Sequence, residues 1–319
     1  MIMKNYHRTS LQKNTSFEYL LLALIALFSF SSCSNYNQID FEQELMVEAY
    51  LINQRLLPDV RLSLTQPVFE FYSFEEAAYS DAQIFIDLVD ENQQVLQTFD
   101  YKLKEAGIYS ALNTTYIVEA GKSYNLRVLS TEGNLTASST VPTSFNSSSP
   151  NISQVVYQGL EQFEVSVTAT STQNRQTSFI FTVIAESVSA GNLTPFYASV
   201  FNADEEEADL EEFSLISSPI INEANYETQA DGTILIRLPW ISIAFYGKNT
   251  IVANSLDDNL FDFVRSQSVQ LGGGALAPGE IQNIINRVDG GIGIFGSITS
   301  DTSLVDVLVN AQPKPTLPF

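Results

Sequence analysis

From Leu45 the chain alternates apolar and other residues. Leu45, Val47, Ala49 and Leu51 are separated by Met46, Glu48 and Tyr50. The same period of two returns at Val60, Leu62 and Leu64, at Ile84, Ile86 and Leu88, and at Tyr124, Leu126 and Val128. It ends the first half at Leu135, Ala137, Ser139 and Val141. Successive side chains on a strand point to opposite faces, so this pattern predicts half-buried strands. Turn residues break it at Asn53, Pro58-Asp59, Asp90 to Asn92, Gly107, Gly121 and Gly133. Roughly seven strands in about 100 residues predict an antiparallel β-sandwich.

The stretch 143–150, TSFNSSSP, lacks a periodic pattern and is read as a linker. Beyond it, 152–157, 163–169, 178–185, 196–201, 233–238 and 241–245 are rich in β-branched and aromatic residues and predict further strands. One segment differs: Asp257-Asp258 can cap a helix whose apolar positions are Leu260, Phe261, Phe263 and Val264. Residues 302–309 predict a last strand, and 312–319 form a Pro-rich tail. The expected class is all-β with a minor helix: a sandwich over 45–142, a linker over 143–150, and a second β-rich domain over 151–311 with one short helix.

The N-terminus has another character. Lys4, Arg8 and Lys13 precede an apolar run from Tyr19 to Phe30, then Ser31, Ser32 and Cys33. Basic, apolar and small segments in that order form a secretory signal, and the apolar part is short for a bilayer span of about 20 residues. A cysteine after small residues looks like a bacterial lipobox, although Phe30 stands where Leu is usual. On that reading 1–32 is removed, Cys33 is acylated, and 33–44 is a tether. Several acyl chains, at about 0.8 kcal/mol per buried methylene, hold a protein firmly on a membrane. The alternative is an ordinary signal peptide or N-terminal membrane helix with an incidental cysteine.

Charge narrows the functions. Three of the 15 Lys+Arg and one of the 37 Asp+Glu precede Cys33, so the remaining chain carries a net charge of −24. Such a surface repels nucleic acid. The single histidine, His7, lies in the leader, and Cys33 is the single cysteine. On the lipobox reading the mature chain has no His and its one Cys is blocked, which excludes a Ser-His-Asp triad, a Cys-His pair, His- or Cys-ligated zinc and a disulfide. No cofactor is expected.

Several stretches together resemble one family. LMVEAYLIN, VRLSLTQPV, AQIFIDLVDENQQ, GIYSALNTTYIVEAGKSYNLRV, ASSTVP and VDGGIGIFGS follow the order and spacing of the Bacteroidota lipoproteins classed as domain of unknown function 4249. The resemblance spans about Leu45 to about Ser297. It implies an outer-membrane lipoprotein, often encoded beside TonB-dependent transporters. It also implies a first domain like the immunoglobulin-like or prealbumin-like sandwich modules that extend those transporters. Only the anchoring role of Cys33 carries over. Acids at Asp40, Glu42 and Glu44 resemble the surface-export signals of some such lipoproteins, but begin late. The expected role is a lipid-anchored, non-enzymatic accessory to a transporter, capturing a ligand or covering its mouth. The alternative is a structural, envelope-assembly or adhesion lipoprotein without a small ligand.

Other candidate sites have plainer readings. Gly121-Lys122-Ser123 lacks the earlier glycine and following helix of a phosphate loop, and reads as a β-turn. Gly290 to Gly296 lacks the setting of a dinucleotide site and reads as a bend with close backbone approach in the sheet. Asp204 to Glu212 has no glycine or ligand spacing for calcium and reads as a solvated loop. The connector holding Phe69, Phe71, Tyr72, Phe74 and Tyr79 is unusually aromatic for a loop. Its rings either tuck under their own sheet or against the second domain, or form a recognition surface for a sugar, peptide or partner protein.

Overall fold

The computed structural model describes residues 41–67, 70–148, 154–160, 163–168, 177–203, 209–222, 226, 228–270 and 283–310. The leader, Cys33, the tether up to residue 40 and the tail from 311 lie outside these residues. The described residues from Gln43 onward form one compact unit.

The alternating segments become strands with the expected inward face. In β1 (Leu45–Ile52), Leu45, Val47, Ala49 and Leu51 are buried. β2 (Val60–Leu64) returns antiparallel, with Leu62 opposite Val47. A single helical turn, α1 (Phe74–Ala77), interrupts the connector to β3 (Ala82–Val89). β4 (Val95–Glu105) pairs first with β3 and then, past Asp100, with β5 (Ile108–Ala111). One strand thus passes between the two layers of the sandwich. β6 (Ser123–Ser130) lies between β3 and β7 (Asn134–Thr140).

The Ser/Asn/Pro-rich stretch after β7 also joins the fold. Phe145 is buried in a second core, and Ser147–Ser148 form the short β8. β9 (Gln154–Val156), β10 (Glu164–Thr168) and β11 (Ser178–Ala185) follow. Residues 196–201, expected as a strand, lie in a helix, α2 (Pro195–Ala203). Proline is suited to the first helical position. The apolar pairs Phe196/Val200 and Tyr197/Phe201 are four apart, the spacing of neighbours on a helix face rather than a strand. β12 (Leu215–Ser217), β13 (Ile221–Asn222) and β14 (Thr233–Arg237) come next. The expected strand at 241–245 is instead a 3-10 turn, Trp240–Ser242, followed by one isolated bridge from Phe245 to Leu193. Pro239 begins the turn and removes a ladder donor at that point.

β15 (Gly247–Leu256) leads into α3 (Asp258–Ser268), the helix expected from its cap. β16 (Val288–Asp289) and β17 (Ile292–Leu308) complete the chain. The fold is all-β with minor helix, and the described residues hold three α-helical segments rather than one.

β17 organises both halves. Its first part pairs parallel with β1, Gly293 opposite Val47 and Ser297 opposite Leu51. Its length pairs antiparallel with β15, and its end pairs parallel with β9. From β17 the sheet runs through β1, β2, β5, β4, β3, β6 and β7 to β16, which continues into β17 through Gly290-Gly291. The N-terminal sandwich is therefore closed by the C-terminal strand. Phe295 and Val288 lie in its core beside Phe99, Tyr109 and Tyr124. Val305 and Val307, farther along the same face of β17, enter the second core with Phe163, Phe179 and Phe181. The opposite face carries Ile294 and Ile298, covered by Leu260, Phe261 and Val264 of α3.

Glycines just before and at the start of β17 allow this closure. Gly293 has φ of 126°, and a Cβ there would lie 1.9 Å from the Val47 carbonyl oxygen. Close backbone approach, as read from the sequence, is what these glycines provide.

Candidate functional site

The aromatic connector between β2 and β3 is fastened at one end and open at the other. Gly107 approaches it closely: its N–H donates to Ser80 Oγ at 3.0 Å, and its carbonyl accepts from Leu62 N at 2.7 Å. Tyr79 N donates to the Leu62 carbonyl at 2.9 Å, and Ser63 bridges to Ala78. The Tyr79 ring packs against the first core, and its hydroxyl meets Thr131 Oγ1 at 3.0 Å. Tyr109 Oη donates to the Tyr79 carbonyl at 3.3 Å. Phe74, at the start of α1, lies under the Arg61 guanidinium, 4.2 Å from ring centroid to Cζ. Arg61 also pairs with Glu48 at 3.3 Å. Burial, then the nearby Glu48 charge, pushes the Tyr50 hydroxyl up to about 12.

Phe71 and Tyr72 do not tuck in. Phe71 is 99% exposed and Tyr72 52%. The five expected aromatics thus divide: Phe74 and Tyr79 anchor the connector, Phe71 and Tyr72 face water, and Phe69 lies outside the described residues. A fully exposed Phe beside an exposed Tyr, at the open end of a connector fastened from Phe74 onward, offers contact area for a partner.

A second polar constellation joins the two halves, and the sequence disclosed only its helix cap. Asp257 accepts from Leu260 N at 2.9 Å, capping α3. Its other oxygen accepts from Ser139 Oγ of β7 at 2.7 Å, and Ser139 lies 2.8 Å from Ser297 Oγ of β17. Asn259 Nδ2 donates to the carbonyls of Ser138 and Phe295, at 2.6 and 2.7 Å. Burial pushes the Asp257 carboxyl up, against the hydrogen bonds that pull it down. Asp262 pairs with Arg287, whose Nε donates at 2.9 Å. This arrangement fastens a helix end to two strands, and its oxygens are engaged with one another.

The remaining sequence candidates are structural where they are described. Gly121 has φ of +75° in the turn entering β6, and its N–H donates to the Val141 carbonyl at 2.8 Å. Asp209 caps the 3-10 turn Leu210–Phe213 through Glu211 N, while 204–208 lie outside the described residues. Among the described residues, no three His, Cys, Asp or Glu side chains converge as metal ligands. No described helix is long and apolar enough to cross a membrane.

Fold and connector together define a β-rich protein with a closed N-terminal sandwich and an exposed aromatic tip. The family profile described as "Domain of unknown function (DUF4249)" matches residues 34–303, and the chain belongs to that family. No curated protein matches the chain. Among solved structures, a tetra-tandem repeat from the extending region of a large adhesion protein is 13% identical, with a TM-score of 0.23. That match covers 83% of this chain and 49% of the other, so this chain spans about half its length. The three N-terminal domains of the bacteriophage RB49 highly immunogenic outer capsid protein are 11% identical over 84% of this chain and 71% of theirs, with a TM-score of 0.22. Trypsin-activated alpha-2-macroglobulin from Escherichia coli is 7% identical over 68% of this chain and 14% of its own, with a TM-score of 0.20. Scores at this level do not establish a shared fold, and the roles of those proteins do not transfer.

Proposed function

We propose that this is a lipid-anchored, non-enzymatic accessory to a TonB-dependent transporter of a Bacteroidota outer membrane. Acyl chains on Cys33 hold it to the membrane, and Phe71 with Tyr72 form the contact that captures a ligand or covers the transporter mouth. The observation that carries this reading is the exposed pair at the open end of the connector. Support for the anchor comes from the order of basic leader, apolar run, small residues and Cys33. Nucleic acid has no place in this reading, given the negative charge.

Two measurements test it. Tagged protein purified from membranes in mild detergent should bring a transporter with it, and its N-terminal peptide should show an acylated Cys33 by mass spectrometry. A free thiol at Cys33, or purification without any transporter, would overturn the reading. Phe71→Ser with Tyr72→Ser should abolish uptake of one nutrient; a loss of envelope integrity with uptake intact would favour a structural role instead.

A further inference from the structure

α2 leaves large apolar side chains exposed. The helix, PFYASVFNA, contains no charged residue. Its inner face is engaged: the Tyr197 hydroxyl donates to the Ile241 carbonyl at 2.8 Å, and its ring meets Phe213 at 5.3 Å. Leu193, Ala244 and Phe245 complete that small core. The outer face is mixed: exposed Ser199 and Asn202 stand among apolar residues. Phe196 and Val200, one turn apart, are 47% and 40% exposed, and Ile241 beside Tyr197 is 50% exposed. Exposed Phe and Val one helical turn apart offer apolar area that a partner can cover.

The 3-10 turn beside α2 adds exposed acids. Among the described residues from Glu186 to Lys248 the acids are Glu186, Asp209, Glu211, Glu212 and Asp231, and the bases are Arg237 and Lys248. Arg237 is engaged with Glu164 at 2.9 Å between β14 and β10. Asp209, Glu211 and Glu212 are exposed on the 3-10 turn whose Leu210 and Phe213 pack beside α2. An apolar ridge edged by one sign of charge selects a partner with apolar anchors flanked by the opposite sign. The anionic edge repels an anionic lipid surface, so a membrane is the wrong occupant.

We infer that the outer face of α2, together with the 209–213 turn, docks a basic amphipathic segment of a partner protein. Apolar side chains of that segment cover Phe196, Val200 and Ile241, while its Lys or Arg residues meet Asp209, Glu211 and Glu212. This site is separate from Phe71–Tyr72 and does not rest on the transporter reading.

The test uses the full chain in nanodiscs of neutral lipid and a labelled amphipathic Leu/Lys helix peptide. A scrambled peptide of the same composition and a Leu/Glu analogue serve as comparisons. The amphipathic peptide should bind more tightly than the scrambled one, and the Leu/Glu analogue should not bind. Phe196→Ser with Val200→Ser should weaken binding by roughly tenfold or more. Should that variant lose its fold, Glu211→Gln with Glu212→Gln provides the second measure, expected to weaken binding and flatten its salt dependence. Hydrogen exchange should slow at 195–203 and 209–213 when the peptide is added. Equal binding of the scrambled peptide, unchanged affinity in the folded variants, protection elsewhere, or no binding at all would each overturn the proposal.

Discussion

The two cores share a strand but are assembled differently. Around the N-terminal core, β3 with β4, β4 with β5 and β6 with β7 are hairpins between consecutive strands. Around the second core, pairing joins distant segments: Val165 lies opposite Ile236, and Phe181 opposite Ala253. Local pairs lose less chain entropy on forming than distant ones. Yet the local half is not self-sufficient, because Val288 and Phe295 of the distant C-terminus complete its core. A sandwich can look like a complete domain in its own stretch of sequence and still need a strand from the far end of the chain.

The sharpest way to break this arrangement is at the crossing of β1 and β17. Gly293→Ala would place a methyl 1.9 Å from the Val47 carbonyl oxygen. We expect a loss of at least about 4 kcal/mol, read as little soluble protein and a collapsed urea midpoint. Gly232→Ala has the same handedness problem at φ of +83° but open space, and should cost only about 1–2 kcal/mol. Comparable effects at both positions would mean that the crossing has no special weight.

Whether β17 couples the cores can be read next. Phe295→Ala in the first core and Phe181→Ala in the second should each cost about 3–5 kcal/mol. Trp240, the single tryptophan, packs against the second core and reports on it by fluorescence. Coupling through β17 predicts that Phe295→Ala lowers the urea midpoint seen by Trp240. An unchanged Trp240 transition would mean that the cores unfold independently.

The seam between the halves should respond more gently. Asp257→Ala removes a helix cap and leaves Ser139 without that acceptor, for a loss of about 1–3 kcal/mol by urea unfolding. Asp257→Asn keeps an acceptor for Leu260 and removes a buried charge, so its loss at neutral pH should be smaller. Burial raises the folded carboxyl of Asp257. Its contribution therefore favours the fold at acid pH and declines as pH rises from about 3.9 through the raised value. The Asn variant should lack that slope.

Asp87 in the first sandwich behaves oppositely. Burial pushes its carboxyl up, but hydrogen bonds from Arg127 and Thr98 with the guanidinium charge hold it below the usual carboxylate value. Its contribution is present above about pH 3.9 and is lost as pH falls through the lower folded value. Asp87→Asn should flatten the acid limb of the stability profile, whereas Asp257→Asn should flatten the limb above it. Reversed slopes would contradict the environments described for the two carboxyls. The smallest expected effect is at the exposed tip: Phe71→Ser with Tyr72→Ser should change stability by no more than about 0.5 kcal/mol.

Much of this was legible residue by residue. The inward sets of β1, β2, β3, β6 and β7 follow from period two, and Asp257 announced α3. Residues 196–201 misled, because aromatic and β-branched composition outweighed the spacing of four and Pro195. The aromatic connector stood out from its composition, but composition could not separate Phe71 and Tyr72, which face water, from Phe74 and Tyr79, which hold the connector down. The acids of 209–212 read as a solvated loop, since nothing local reveals that Leu210 and Phe213 carry them to the side of α2.

By itself the amino-acid order determined the β-rich class, the inward face of the main N-terminal strands, the cap of α3 and the glycines needed where backbones meet. Those are short-range matters, set by side-chain alternation, hydrogen bonding across a few residues and the room that a Cβ needs. Only the tertiary structure decided that β17 lies parallel to β1, that one face of it fills two cores, and that Ser139, Asp257 and Ser297 converge. Strand pairing depends on which partners are free and which faces remain to be buried, and neither is written in any single segment.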